Sequence, residues 1–348
     1  MTDTGPDFTG DKAAMVRDPL WHAHRYDAAQ DAFQFRHVPR EQHRKATFLT
    51  DEYLGDAARI VAVKRPEALA AGAARAPIHF VFHSAFCAST MLVRALDVPG
   101  LAMGLSEPVL CNDMMGWRWR GAERRQVAAV LDASLALLQR PFGPGEAVVV
   151  KPSNVFNPLI QAVMALRPES RALLLYAPLP VFLASVARKG LWCRLWAREL
   201  LEGQLREGMV DMGFGPADFF RQSDLQVAAI GWLAQHRLFG QIAQALGPQR
   251  IATLDSETLT GNQQGSLSAV ARHFSLGLTP ALEGAMLAGP ALTSHSKFGQ
   301  AFSVEDRAAE QEFARKAYGD EIDKVHVWAM EVARVNGIAI DLPHRLNL

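Results

Sequence analysis

Cysteine is scarce in this chain: three in 348 residues, Cys87, Cys111 and Cys193, far apart in sequence. An odd number so spaced argues against a disulfide framework or a Cys-rich zinc site, and it fits a reducing, cytoplasmic setting. Charge of one sign is missing too. Lys plus Arg and Asp plus Glu both total 36, so no general field draws nucleic acid or an anionic membrane, and any anion site must be local. Long apolar runs are broken by His, Pro or hydroxyl residues, so no membrane span is expected. The opening MTDTGPDFTGDKAA lacks the basic start and apolar stretch of a secretory signal. No internal repeat stands out.

What is present is alternation. Apolar, strand-like runs lie near 78–82, 147–151, 171–176 and 250–254, each followed by a helical pattern, which implies an α/β chain with a parallel sheet. Residues 123–139, 224–246 and 304–335 read as helical, the last as two helices meeting near Gly319. Residues 1–20 are polar with Gly and Pro and read as a disordered tail. Residues 21–75 read as an accessory segment and 76–348 as the main domain. The accessory segment holds His22, His24, His37 and His43 without HExxH spacing, so no metal site is expected and packing or surface roles are favoured. Solvated helix faces account for the basic groups Arg118, Arg120, Arg124, Arg125 and Arg188, Lys189, Arg194, Arg198. Trp192 and Trp196, four residues apart, suit stacking on a ligand or, more simply, anchoring of a helix.

The most informative stretch is Ile78 to Leu96, IHFVFHSAFCASTMLVRAL. A strand enters a small, hydroxyl-bearing turn and leaves as an amphipathic helix that starts near Ala88. Such a helix aims unpaired N–H groups and partial positive charge at whatever lies above the strand's carboxyl end, and Ser84, Ser89 and Thr90 add hydroxyl donors. An ordinary strand-to-helix turn with capping serines is the plainer alternative. The Lys151-to-Asn154 turn and Tyr176 fall at the carboxyl ends of other strands, where open α/β sheets bind ligands. Asn154 reads as the cap of a helix beginning near Val155.

Phe86-Cys87-Ala88-Ser89-Thr90 resembles the nucleotide-binding loop of sulfotransferases, usually Lys/Arg-Ser-Gly-Thr-Thr, with Phe86 in the place of the basic residue. Leu105-Ser106-Glu107-Pro108 resembles the acidic motif of tyrosylprotein and related sulfotransferases, whose glutamate is the catalytic base. Val148 to Ser153, VVVKPS, is similar to the family's Lys-Thr-His strand motif, with Lys151 matched and Ser153 replacing histidine. ALLLYAPLPVFLAS resembles the strand and helix that supply an arginine and a serine to the donor's 3′-phosphate; Ser185 matches and Ala177 stands where arginine belongs. Arg250 to Leu278 is similar to the later strand and helix that end in Leu-Gly-Leu. The resemblance spans roughly residues 78–300.

That resemblance implies a three-layer, P-loop-like α/β domain with a mostly parallel sheet flanked by helices. It implies a sulfotransferase that uses 3′-phosphoadenosine 5′-phosphosulfate as cosubstrate, needs no metal, and acts on a small-molecule, lipid or sugar acceptor. Donor binding would fall to Ser84, Phe86, Cys87, Ala88, Ser89 and Thr90, with Ser185, Arg188 and Lys297. Lys151 would meet charge at the transferring group, Glu107 would act as acceptor base, and His83 is a second candidate for proton transfer. Three rivals remain open. A P-loop kinase or NTPase would need GxxxxGK[ST], which is absent. A cysteine-dependent phosphatase would need Cys-x5-Arg, and Arg94 comes one residue late after Cys87. The third is a nucleotide-binding protein that has lost catalysis.

Overall fold

Residues 10–56, 59–292 and 304–348 are described by the computed structural model, the last stretch with side chains from residue 312. Five parallel strands form the central sheet: β4 (Ile78–His83), β5 (Ala102–Ser106), β6 (Ala147–Lys151), β7 (Ala172–Tyr176) and β8 (Ile251–Asp255), preceded in the chain by β1 (Trp21–Asp27), β2 (Ala32–His37) and β3 (Ile60–Lys64). Their order is β5-β6-β4-β7-β8, so β4, the first of the five in sequence, lies at the centre. All residues of β4, β5, β6 and β8 are buried, as expected of parallel strands covered on both faces.

Side-chain alternation along the strands divides the interior into two cores. Val81, Val149, Leu173 and Leu175 face one, with Leu92 and Val93 of the Ser89–Leu96 helix, Phe182, Leu183 and the Ile322–Ala333 part of the last helix. Phe80, Phe82, Val148, Val150 and Leu174 face the other, with Leu131, Leu135, Ile160 and Val163. Three layers result, helix on sheet on helix, as expected. After β4 the chain therefore leaves to one face, and after its neighbour β6 it leaves to the other. A crevice opens between the carboxyl ends of two such strands.

Strand β5 was not expected. Its sequence, AMGLS, lacks the β-branched residues that mark a strand. It forms by pairing with β6 from Ala102↔Ala147 to Ser106↔Lys151, and its middle residue must be Gly104. A Cβ there would come within 2.8 Å of the Val93 carbonyl oxygen, so glycine lets the helix after β4 lie directly on this strand.

The accessory segment is an antiparallel sheet, β1-β2-β3, with short helices. It shares the second core, to which Phe33 and Phe35 contribute. Arg25 grips Asp113 through Nε and Nη2 at 3.0 and 2.8 Å. The buried Arg140 guanidinium donates to the carbonyls of Val16 (2.5 Å) and Trp21 (2.8 Å). Part of the polar tail is ordered: Lys12–Arg17 is a helix, capped by Asp11 and held because Met15 and Val16 bury their side chains. Residues 1–9 of that tail lie outside the described residues.

A second correction concerns the last helix. Val304–Val335 is one helix of 32 residues, continuous through Gly319. A mid-helix glycine costs about 1 kcal/mol, too little to break a helix whose Ile322, Val325, Ala329 and Ala333 are buried. The helices expected at 123–139 and 224–246 are found at Arg124–Leu138 and Asp224–Leu246. No helix among the described residues is long and apolar enough to cross a membrane.

Candidate functional site

The loop after β4 is held on both sides. Ser84 donates its N–H to the Leu175 carbonyl at 3.1 Å, and its hydroxyl oxygen accepts from the Ala177 N–H at 3.1 Å. The Ala85 N–H donates to His83 Nδ1 at 3.1 Å. Beyond it the backbone turns left-handed at Ala85 (φ 72°), Phe86 (53°) and Ala88 (62°), and Glu107 across the crevice does the same (46°). Each such residue costs roughly 1–2 kcal/mol when it carries a Cβ. Four of the seven positive-φ non-glycine residues among those described thus gather at one place, as strained backbone does at functional sites. Ser89 and Thr90 open the helix, and Ala88 at its cap position offers no side chain to the first-turn N–H groups. Ser223, Asp255 and Thr279 do cap their helices. The turn combines an uncapped helix start with left-handed backbone, a geometry that presents N–H groups to an anion.

Beneath the loop lies a chain of polar contacts. Lys151, at the end of β6, has 0% exposure. Its ammonium donates to Glu107 Oε1 at 2.5 Å and to Thr90 Oγ1 at 3.2 Å. It also lies 4.7 Å from the centre of the Phe48 ring, a cation–π contact from the accessory segment. Glu107 retains 19% side-chain exposure, so its carboxylate bridges the buried ammonium and the outside. The Glu107 N–H donates to the Lys151 carbonyl at 2.7 Å. On either side of Glu107, Leu49 donates to the Ser106 carbonyl and accepts from the Val109 N–H, at 2.8 and 3.1 Å. The Leu49 and Lys151 segments therefore hold the Glu107 turn between them.

His83 Nε2 stands 3.9 Å from the same Glu107 oxygen. Because Nδ1 accepts from Ala85, a neutral imidazole carries its proton on Nε2, facing Glu107. The His83 carbonyl is held by Asn157 Nδ2 at 3.0 Å, which also donates to Gln235 Oε1 at 2.9 Å. His83, Thr90, Glu107 and Lys151 are thus brought together in the crevice between β4 and β6.

No family model matches the sequence, and no curated protein matches it. Among solved structures, the chain is similar to a sulfotransferase domain from the curacin biosynthetic pathway, at 15% identity and TM-score 0.43, over 71% of this chain and 99% of that one. Sulfotransferase STF1 from Mycobacterium tuberculosis H37Rv aligns at 16% identity and TM-score 0.39, over 70% and 76% of the two chains. Sulfotransferase STF9 from Mycobacterium avium aligns at 12% identity and TM-score 0.42, over 74% and 79%. Likenesses this distant leave the chemistry of the site to its own residues.

Phe86, in the position of the expected basic residue, sits among rings: 5.8 Å from Phe182 and 5.4 Å from Trp196. Lys189 brings its ammonium to 5.7 Å from the Phe86 ring centre, so positive charge reaches the loop from another helix. In sequence Lys189 reads as part of a solvated helix face; the packing of Phe182 against Phe86 brings it to the loop. Ser185 and Arg188 follow Phe182 at three-residue steps, on the same side of that helix. The Ser185 hydroxyl donates to the Val181 carbonyl at 2.9 Å. Ala177 is fully buried. Its carbonyl accepts from Trp232 Nε1 at 2.8 Å. Lys297 lies outside the described residues.

Cys87 is buried in the apolar core under the loop. Asn154 is not a helix cap: it begins a 3₁₀ turn, Asn154–Leu159, with Ser153 in the cap position and no side-chain cap bond. Trp196 is half-buried against the loop whereas Trp192 is 68% exposed. Phe48, Asn157 and Gln235 also belong to the site's surroundings, and no local pattern marks them in sequence. Among the described residues, no group of three or more His, Cys, Asp or Glu side chains is placed to hold a metal ion.

Proposed function

We propose that this chain is a sulfotransferase that moves a sulfuryl group from 3′-phosphoadenosine 5′-phosphosulfate to an acceptor hydroxyl. The observation that carries the reading is the Thr90–Lys151–Glu107 chain beneath an uncapped, left-handed loop at the centre of a parallel sheet. The motif order along the sequence supports it independently. In the reaction, an acceptor oxygen attacks sulfur while the bond from sulfur to the phosphate-bridging oxygen breaks. The acceptor proton leaves to a base, and the electron pair leaves with adenosine 3′,5′-bisphosphate.

Charge grows on the bridging and equatorial oxygens, and the groups suited to meet it are the N–H donors from Phe86 to Thr90 and the Lys151 ammonium. Glu107, reachable from outside and steadied by Lys151, is the acceptor base. His83 faces Glu107 through Nε2 at 3.9 Å, beyond hydrogen-bond distance, and is the second group for proton transfer. Lys189 over Phe86 supplies the charge that a loop lysine would. Ser185, Arg188 and Lys297 serve the donor's 3′-phosphate.

The charge count favours sulfuryl over phosphoryl transfer. A terminal sulfate carries about one negative charge where a terminal phosphate carries about two, and phosphoryl enzymes meet the larger charge with a lysine and metal ions together. Here the one buried lysine among the described residues is already shared with a carboxylate.

The test is calorimetric titration with adenosine 3′,5′-bisphosphate, ATP and adenosine 5′-phosphate. Preference for the bisphosphate, weakened by Ser89→Ala, is the expected result. Preference for ATP would replace this reading with the kinase one, and no nucleotide binding at all would overturn it.

A further inference from the structure

The accessory segment enters the site through residues 48–51, to which the motifs assign no part. Leu49 is bonded to the Glu107 turn on both sides, through the Ser106 carbonyl at 2.8 Å and the Val109 N–H at 3.1 Å. Two residues on, the Asp51 carboxylate lies 2.6 Å from the buried His24 Nε2 and accepts from Arg25 Nη1 at 2.7 Å, both on β1. Arg25 also holds Asp113, on the Val109–Trp119 helix that follows Glu107.

Phe48 adjoins the first of these anchors and lies three residues before the second. Its ring is carried over the Lys151 ammonium, 4.7 Å from the ring centre. It also meets the Tyr53 ring at 82° with 5.1 Å between centres, an edge-to-face pair that fixes its plane. The position of the ring is therefore set by bonds to the Glu107 turn and to β1, far from Lys151 in sequence.

Lys151 has no exposed surface and donates to Glu107 Oε1 and Thr90 Oγ1. A buried ammonium is costly unless its charge is met, and the kind of neighbour that meets it decides what it can still do. A second carboxylate would hold it firmly but would outweigh its single positive charge, leaving nothing to answer negative charge that grows on a transferring group. An aliphatic side chain would fill the space without attracting the cation. An aromatic face attracts the cation through its quadrupole and adds no net charge. A ring at this place fixes the direction of the ammonium and leaves its field intact.

We propose that Phe48 is a positioning residue for Lys151, and that the accessory segment completes the site by delivering it. The role rests on the sulfotransferase reading for what Lys151 does, and on the contacts alone for how Lys151 is held.

The experiment replaces Phe48 in the full chain with 4-fluoro-, 3,5-difluoro- and 3,4,5-trifluorophenylalanine, both in the parent and in Lys151→Met. Fluorine drains the negative face of the ring and nearly keeps its shape, so a packing role alone barely responds. Any change in the Tyr53 contact is common to both backgrounds and cancels in the comparison. In urea unfolding the trifluoro ring should lower the folding equilibrium constant about fivefold in the parent and less than about twofold in Lys151→Met. The second readout is sulfate release from 3′-phosphoadenosine 5′-phosphosulfate with water as acceptor. There the water oxygen bonds to sulfur, the bond from sulfur to the bridging oxygen breaks, and adenosine 3′,5′-bisphosphate and a proton are released. The maximal rate should fall stepwise with fluorine number, to about a tenth for the trifluoro ring and lower for Phe48→Leu, while the donor KM stays within about twofold. Equal fluorine sensitivity of unfolding in the two backgrounds would overturn the hold on Lys151, and a maximal rate indifferent to fluorination would overturn the positioning role. If the bisphosphate binds and unfolding does not distinguish the backgrounds, the role of Phe48 fails and the donor site stands. If unfolding responds as expected but the bisphosphate does not bind and no sulfate is released, the sulfotransferase reading fails and the hold of Phe48 on Lys151 stands.

Discussion

Replacing Lys151 with methionine, Glu107 with glutamine, and both together, separates the pair's contribution to stability from its contribution to chemistry. Lys151 is fully buried and touches the Glu107 carboxylate, the Thr90 hydroxyl and the Phe48 ring. Breaking a buried pair by removing one partner costs about 3–5 kcal/mol, because a charge is left uncompensated. Glu107 keeps 19% side-chain exposure, so Lys151→Met should cost less, about 2 kcal/mol, the stranded carboxylate being partly hydrated. Glu107→Gln leaves the amide oxygen to accept from the ammonium but removes its countercharge, again about 2 kcal/mol. The double variant has no uncompensated charge and should lose only about 1 kcal/mol, a coupling near 3 kcal/mol. Urea unfolding of the four proteins measures this. Sulfuryl transfer, by contrast, should be lost in both single variants and remain lost in the double one. Losses that simply add, to about 4 kcal/mol in the double variant, would refute the coupling. Transfer at the parental rate in Lys151→Met would refute the catalytic role.

Acid should destabilise the protein from an identifiable point. Burial lowers His43 to about 3, and His79 and His236 to about 4. These folded values lie below the unfolded value of about 6.5, so the stabilisation is fully present above that pH and is lost as pH falls from there toward 4. Each histidine should cost about 2 kcal/mol by pH 5, and a urea midpoint unchanged between pH 7.5 and pH 5 would contradict this. Ala88→Gly should raise stability by about 1 kcal/mol, since glycine occupies φ 62° without the Cβ clash. A drop in the thermal midpoint of that variant would show that the left-handed turn is not strained.

Much of the sheet was legible because buried parallel strands carry short, concentrated apolar runs. VVVK and LLLY announce β6 and β7 without reference to anything distant. AMGLS does not announce β5, because its strand identity comes from pairing with β6 and from the room Gly104 leaves for a helix. The single long helix was misread at Gly319 because burial along Ile322 to Ala333 outweighs a local propensity. In the site, Glu107 and Lys151 were singled out separately by motif resemblance; that they touch each other was not visible in either motif. Phe48, Asn157 and Lys189 act across long sequence separations and leave no local signal.

The loop after β4 shows where the two kinds of information divide. Sequence alone determined that a strand, a turn and an amphipathic helix follow one another there, since those depend on apolar periodicity within some twenty residues. No glycine occurs between Ile78 and Leu96, so nothing local favours left-handed backbone there. Tertiary structure decided otherwise: Ser84 is bonded to the chain at both Leu175 and Ala177, His83 accepts from Ala85, and Phe86 is wedged among Phe182, Trp196 and Lys189. Those contacts hold Ala85, Phe86 and Ala88 in conformations their side chains disfavour, and a chain segment considered by itself has nothing to hold them there.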